Sequence, residues 1–190
     1  MSSLADKAFA KLQKLNSNAT TLGDNTLSNV TEWIDTGCLV LNSIVSGSIY
    51  GGVPKGRITI FAGDSGCGKT FILNKILANA QRKGMIPVIF DTEIAVENEG
   101  AENVGLDTSN VKYVPVDTVE NCRNQIMAFL DEVEKEPELH GKFIISIDSL
   151  GNLASEKEIN DAGANKGAMD MGLRAKQLKS MMRMVTFKAA

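Results

Sequence analysis

Arg57-Ile-Thr-Ile-Phe-Ala-Gly63-Asp64-Ser65-Gly66-Cys67-Gly68-Lys69-Thr70 reads as an apolar strand that runs into a glycine-rich loop and then into a helix. From Gly63 to Thr70 it fits the phosphate-loop pattern G-x-x-x-x-G-K-[ST] without a gap. The chemistry requires these residue types, because a polyphosphate has to be wrapped by backbone N–H groups and glycine lets the chain approach closely at positive φ. Gly63, Asp64, Ser65, Gly66, Cys67, Gly68, Lys69 and Thr70 are therefore the expected nucleotide-binding residues. Lys69 supplies a point charge to the β/γ-phosphates, and Thr70 is placed to put its hydroxyl on Mg²⁺. The helix that starts there aims the positive end of its dipole at the anion.

With 190 residues, 43% of them apolar, and a mean hydropathy of −0.05, the chain is expected to form one soluble domain with a real core. No run approaches ~18 apolar residues and the N-terminus lacks a charged-then-apolar signal pattern, so the expectation is a cytoplasmic protein with no membrane partner. Cys38, Cys67 and Cys122 are odd in number and widely spaced, which predicts free thiols rather than a disulfide framework or a zinc site. Cys67 lies inside the phosphate loop, where modification would block nucleotide, although a buried bystander is the expected role. His140, the only histidine, stands beside Gly141 and reads as a surface loop residue. A net charge of −3 gives no global electrostatic footprint for nucleic acid, so any DNA binding must be local.

Taken in order, Ser3 to Leu15 carries Leu4, Ala8, Leu12 and Leu15 at helical spacing, and Asn16 to Asn29 is a polar linker. A short terminal helix of this kind either folds back on its own core or docks on a neighbouring subunit. Cys38 to Val45 is helical in part, and Gly51 to Gly56 is a turn. Helices are expected over Phe71–Arg82 and Thr118–Lys135, and strands over Met85–Asp91, Asn110–Val116 and Phe143–Ile147. Alternating strands and helices predict an α/β fold, a mainly parallel sheet with helices on both faces and ligands at the carboxyl ends of the strands. The phosphate loop, Glu93 and Asp148 all fall at such ends. Asp148 is the expected Mg²⁺ carboxylate, held directly or through water. Glu93 is the candidate for polarising the attacking water, and so joins Lys69 as a catalytic candidate.

Gly51 to Thr70 resembles the entry to the RecA-type ATPase core, Asp35 to Asn42 resembles that family's lead-in, and Phe90-Asp-Thr-Glu93 resembles the strand carrying its catalytic glutamate. Ile147-Asp-Ser-Leu-Gly-Asn-Leu-Ala-Ser155 is nearer still to the UvsX-type strand-exchange recombinases of T-even phages, and Met171 to Arg183 resembles the helix after the family's first DNA-binding loop. The resemblance spans roughly Val30 to Phe187. It implies a RecA-like P-loop NTPase core in residues 30–190, with residues 1–29 as an N-terminal helix and linker that dock protomers. It also implies an ATP- and Mg²⁺-dependent recombinase that polymerises on single-stranded DNA in the cytoplasm of a phage-infected bacterium, in company with its own or full-length protomers.

On the same resemblance the first DNA loop is Glu156 to Asp170, although its own slightly acidic composition reads as a plain surface loop. The helix after it is basic through Lys176, Lys179 and Arg183, with Leu178, Met181, Met182 and Val185 as its core stripe. Family members continue past Ala190 through a fifth strand that lies between the phosphate-loop strand and the strand ending at Asp148. The expected fold is therefore a core truncated before that strand. Two other classes stay open on the residues: a non-catalytic subunit that caps or modulates a full-length filament, and a RecA-fold helicase motor.

Overall fold

The computed structural model describes residues 4–16, 18–24, 29–94, 98–163 and 172–189, and the chain divides into two compact units, Met1–Thr31 and Glu32–Ala190. In the first unit, helix α1 spans Leu4–Leu15 with Asp6 in its first turn and Lys14 in its last, each at the end that the helix dipole favours. Its apolar stripe is bare: α1 buries no residue, and Leu4 and Leu15 are 88% and 86% exposed. A short 3-10 turn at Leu22–Asp24 follows. Within the expected linker, residues 17 and 25–28 lie outside the described residues.

The second unit opens with strand β1 (Trp33–Ile34), helix α2 (Leu39–Ser46) and strand β2 (Val53–Pro54). β1 and β2 pair antiparallel, so the stretch read as a plain turn holds a two-residue strand. Asn42, buried on α2, knots the intervening segment. Its Oδ1 accepts from the Thr36 N–H at 2.9 Å and the Thr36 hydroxyl at 2.7 Å, and its Nδ2 donates to Asp35 Oδ1 at 2.7 Å and the Ile49 carbonyl at 3.1 Å. The amide is fully used, as burial demands. The Asn42 donor, and then the Gly37 N–H, hold the Asp35 carboxyl below the usual carboxylate range.

The rest of the unit alternates as the sequence pattern predicts. Helix α3 (Lys69–Arg82) precedes strand β3 (Ile86–Asp91), helix α4 (Asn98–Asn103), strand β4 (Lys112–Pro115), helix α5 (Val119–Lys135) and strand β5 (Phe143–Asp148). Helices α6 (Glu156–Gly163) and α7 (Leu173–Ala189) follow. The strands form one parallel sheet in the order β4-β3-β5. Because strand side chains alternate, each strand feeds two layers. Val88, Phe90, Ile145 and Ile147 pack with Val119, Cys122 and Ile126 of α5 and Met181 and Val185 of α7. On the opposite face, Ile89 and Ile144 meet Leu77 and Ala78 of α3 and Ala101 of α4. Lys188 closes the outer layer by pairing from α7 with Asp131 and Glu134 of α5.

Two expectations are corrected. Residues 58–62, read as a strand leading into the phosphate loop, pair with no strand among the described residues. An apolar segment becomes a strand only against a neighbour that accepts its N–H and C=O groups. The outer edge of β5 is likewise unpaired, and Ile60 stays 63% exposed while Phe61 packs beside Ile76. The expected DNA loop at Glu156 to Asp170 is helical over its first eight residues, as α6. Ser155 and Glu158 cap it reciprocally: the Ser155 N–H donates to Glu158 Oε2 at 2.6 Å and the Glu158 N–H to Ser155 Oγ at 3.2 Å. Residues 164–171 lie outside the described residues.

The pairing has an energetic consequence. β3, laddered on both edges, is buried from Pro87 to Asp91, whereas the equally apolar β5, laddered on one, buries only Ser146 fully. Ile89→Ala is therefore expected to cost about 3 kcal/mol and Ile145→Ala less than half of that, read as the shift in urea midpoint. Equal costs would mean that the two strands are equally enclosed.

Candidate nucleotide site

The loop Gly63–Gly68 is shaped by its glycines. Gly66 and Gly68 take φ of 77° and 89°, where a side chain is strained, and a Cβ on Gly63 would come within 2.7 Å of Cys67 Sγ. Gly68 is the N-cap of α3 and no side chain caps that terminus, so the first-turn N–H groups open on the loop. Lys69 Nζ donates to the carbonyls of Gly63 at 2.9 Å and Asp64 at 2.8 Å, which draws the ammonium across the loop. An uncapped helix start, a left-handed glycine turn and an adjacent ammonium make a donor set suited to a polyphosphate anion.

The same helix carries Thr70, whose hydroxyl donates to Asp148 Oδ2 at 2.7 Å. This bond joins residues 78 apart in sequence and brings the end of β5 to the start of α3. Hydroxyl and carboxylate oxygens side by side suit Mg²⁺, which keeps several waters and takes only one or two protein ligands beside phosphate. Among the described residues, no group of three or more His, Cys, Asp and Glu forms a self-sufficient metal cluster.

β3 and β5 end together, Asp91 opposite Asp148, and the chain beyond them is cross-tied. The Thr92 N–H donates to the Asp148 carbonyl at 2.9 Å, while the Thr92 hydroxyl accepts from the Ser149 N–H at 2.9 Å and donates to the Ser149 carbonyl at 3.0 Å. Asp91, fully buried, turns its Oδ1 to the N–H groups of Glu93 at 2.9 Å and Ile94 at 3.1 Å and accepts the Tyr113 hydroxyl on Oδ2 at 2.9 Å. Those bonds hold Ile94 at a φ of 53°, costly for a β-branched residue by about 1–2 kcal/mol. The result is an exposed Glu93 whose Oε1 accepts from Asn152 Nδ2 at 2.6 Å and Ser149 Oγ at 3.1 Å.

Thr70 and Asp148 thus meet directly, and Glu93 is linked to them through Ser149. Sequence reasoning named all three but assigned no role to Asp91, Thr92, Ser149 or Asn152. The Asp-x-Glu spacing of Asp91 and Glu93, which suits an Asx-type turn, was a usable sign for Asp91. Cys67 was expected to be buried and is exposed, because it stands on the turn itself rather than under it. Cys122 is the buried thiol, pushed up by burial to about 11, and the exposed His140 ring lies 3.3 Å from the Glu134 carbonyl as a surface residue does.

Fold and site together define an α/β protein with a phosphate loop set against the acidic end of a parallel strand. The family profile described as the RecA N-terminal domain matches residues 4–189, and the chain belongs to the RecA family. It is 34% identical over 149 residues to the "Recombination and repair protein" of Enterobacteria phage T4, covering 77% of this chain and 37% of that one. It is 33% identical over 181 residues to "Protein RecA" of a Nitratiruptor species and 32% identical over 183 residues to "Protein RecA" of Bifidobacterium breve. Each of those alignments takes in 95% of this chain and, in turn, 47% and 43% of the relative, so the chain spans less than half the length of these relatives.

The Asp91 anchor can be tested directly. Burial, then the hydrogen bond to Asp91 and its charge, raise the Tyr113 phenol above its ordinary value. In a Tyr50→Phe background, ultraviolet titration should place the Tyr113 midpoint above the usual ~10, and Asp91→Asn should bring it part of the way back. An unmoved midpoint would remove Tyr113 from the anchor.

Proposed function

We propose that this chain is the ATP-binding portion of a RecA-type recombinase, a protein that binds single-stranded DNA, forms filaments and promotes homologous pairing. The observation that carries the reading is the 2.7 Å bond between Thr70 and Asp148, which supports a phosphate loop facing a carboxylate suited to Mg²⁺. When bound, Mg²⁺·ATP supplies the phosphoanhydride to be cleaved and a metal charge that offsets the phosphates. The N–H groups of Gly63 to Gly68 and of the first turn of α3 wrap the phosphates. Lys69 directs its ammonium to the β/γ-phosphates, and Thr70 and Asp148 hold Mg²⁺, directly or through water. Glu93 accepts a hydrogen bond from the attacking water and orients it for in-line attack.

The names and likeness of the relatives support the DNA side of the reading. Lys176, Lys179 and Arg183 stand exposed on α7, a local basic strip on a chain that is acidic as a whole. The bare stripe of α1 supports docking of residues 1–29 on another protomer, whether a second copy or a full-length recombinase. A cytoplasmic location follows from work on DNA, in a phage-infected bacterium on the phage resemblance, and no described helix is long and apolar enough to cross a membrane.

One observation favours a second reading. Residues 58–62 stand outside the sheet ladder, so the phosphate loop is held by α3 packing and by its bond to Asp148. A loop held in that way suits a nucleotide-binding subunit that caps or modulates a full-length filament without turnover. Stimulation of ATP turnover by single-stranded DNA separates the two readings.

Lys69→Ala is expected to weaken a fluorescent ATP analogue roughly 10- to 100-fold with an unchanged circular dichroism spectrum. Equal affinity would mean that the loop binds no phosphate. The carboxylates are expected to divide: Glu93→Gln keeps Mg²⁺·ATP binding and loses turnover, whereas Asp148→Asn makes nucleotide affinity less dependent on Mg²⁺. Parental turnover in Glu93→Gln would remove the water-orienting role.

A further inference from the structure

Glu93 Oε1 takes two donors from across the sheet, Asn152 Nδ2 at 2.6 Å and Ser149 Oγ at 3.1 Å. Among the described residues its second oxygen, Oε2, takes no donor. The Asn152 bond is short, and a carboxylate accepts only, so the amide nitrogen is fixed as the donor. Asn152 belongs to the 3-10 turn Leu150–Asn152, and that turn is gripped from behind by Arg174 at the start of α7. The guanidinium donates from Nε to the Leu153 carbonyl at 2.6 Å, and from Nη2 to the Leu150 carbonyl at 3.2 Å and the Gly151 carbonyl. Leu153 anchors the same turn, fully buried in the cluster with Val119 and Met181. The Asn152 amide is thus presented from a rigid support, whereas Glu93 stands on an exposed turn and by itself would rotate about its last torsion.

We propose that Asn152 is the positioning residue of this site. With Ser149, it fixes the Glu93 carboxylate by Oε1 and leaves Oε2 as the oxygen that accepts the water's hydrogen bond. The proposal rests on Glu93 orienting that water. Both partners are exposed, so the bond adds little to stability. Its effect lies in orientation, where partners of a reacting group typically govern 10- to 100-fold in activity.

The test has two arms on the full chain. In ¹⁵N-labelled protein the Asn152 side-chain amide, assigned by its loss in Asn152→Ala, should shift upfield in Glu93→Ala and keep its position in Lys69→Ala. No response to Glu93→Ala overturns the clamp without reference to turnover. In the second arm, Asn152→Ala should lower kcat about tenfold at unchanged KM for Mg²⁺·ATP and unchanged Tm, and Arg174→Lys should lower kcat at unchanged KM through the loosened turn. Asn152→Ala should add nothing in a Glu93→Gln background, as a residue acting through Glu93 requires. If Glu93→Gln loses turnover while Asn152→Ala keeps the parental kcat, or if Asn152→Ala lowers kcat further in that background, the positioning role is overturned. If Glu93→Gln turns over at the parental rate, the assignment of Glu93 itself fails, an outcome distinct from the first two.

Discussion

A parallel ladder of six residue pairs joins β3 to β5, from Ile86 opposite Phe143 to Asp91 opposite Asp148, and the site depends on it. Since both strands run the same way, their carboxyl ends finish side by side, and the polar residues that follow each strand come within hydrogen-bonding reach. The register is enforced by burial. Val88 and Phe90 face the layer of α5 and α7 while Ile89 faces α3 and α4, so a slip of one residue would turn each set to the wrong layer. At about 1.5–3 kcal/mol for each buried side chain, such a slip costs more than the net 0.5–1.5 kcal/mol of any single polar bond at the strand ends. The apolar core therefore sets the register. The bonds of Thr92 to Asp148 and Ser149 then fix how the two ends meet.

The phosphate loop reaches the site by another route. It has no ladder of its own among the described residues, and its position is inherited from α3, whose Ile76, Leu77 and Ala80 are buried against the sheet or the Ile34–Val53 corner. Burial of those side chains outweighs the single Thr70–Asp148 bond by several fold on the same figures. The bond is thus better understood as an aligning contact between two independently packed parts than as the support of either. Residues 58–62 and the outer edge of β5 are backbone stretches whose hydrogen-bonding groups find no sheet partner among the described residues. Both carry apolar side chains, a combination that favours covering by a further strand.

What was legible in the sequence follows from the range of the signal. The glycines and Lys69 lie within one short stretch, so the shape of the loop, with Gly66 and Gly68 at positive φ, could be read without a distant partner. The apolar runs of β3 and β5 announced themselves in the same way, as did the start of α5, which Thr118 caps by accepting the Asn121 N–H. The strand expected over residues 58–62 is not formed because pairing is not local: the segment has the composition of a strand but meets no pairing neighbour among the described residues. The helix α6 is not anticipated although its Ser155-x-x-Glu158 cap is present in the sequence, because the family likeness and the slightly acidic composition both read as a loop. The roles of Ser149 and Asn152 had no local sign. They arise only when residues 56 and 59 positions from Glu93 are brought to it by the ladder.

The layer behind the site has its own bearing on chemistry. Val119, Cys122, Ile126, Leu153 and Met181 form one cluster, and Leu153 leads straight into the turn that carries Asn152. Burial raises the Cys122 thiol to about 11, so it stays protonated and inert as a packing group, and any thiol chemistry falls to the exposed Cys38 and Cys67. The outer faces of α5 and α7 are tied by Lys188 to Asp131 and Glu134, far along the helices from Arg174. α7 is therefore fixed at both ends, by an ion pair at one and by the Arg174 grip on the Leu150–Leu153 carbonyls at the other. Between them Leu178, Met181 and Val185 pack against the cluster of Val119, Cys122 and Leu153. A displacement imposed on the start of α7 would consequently be felt first at the turn beneath Arg174, where Asn152 meets Glu93.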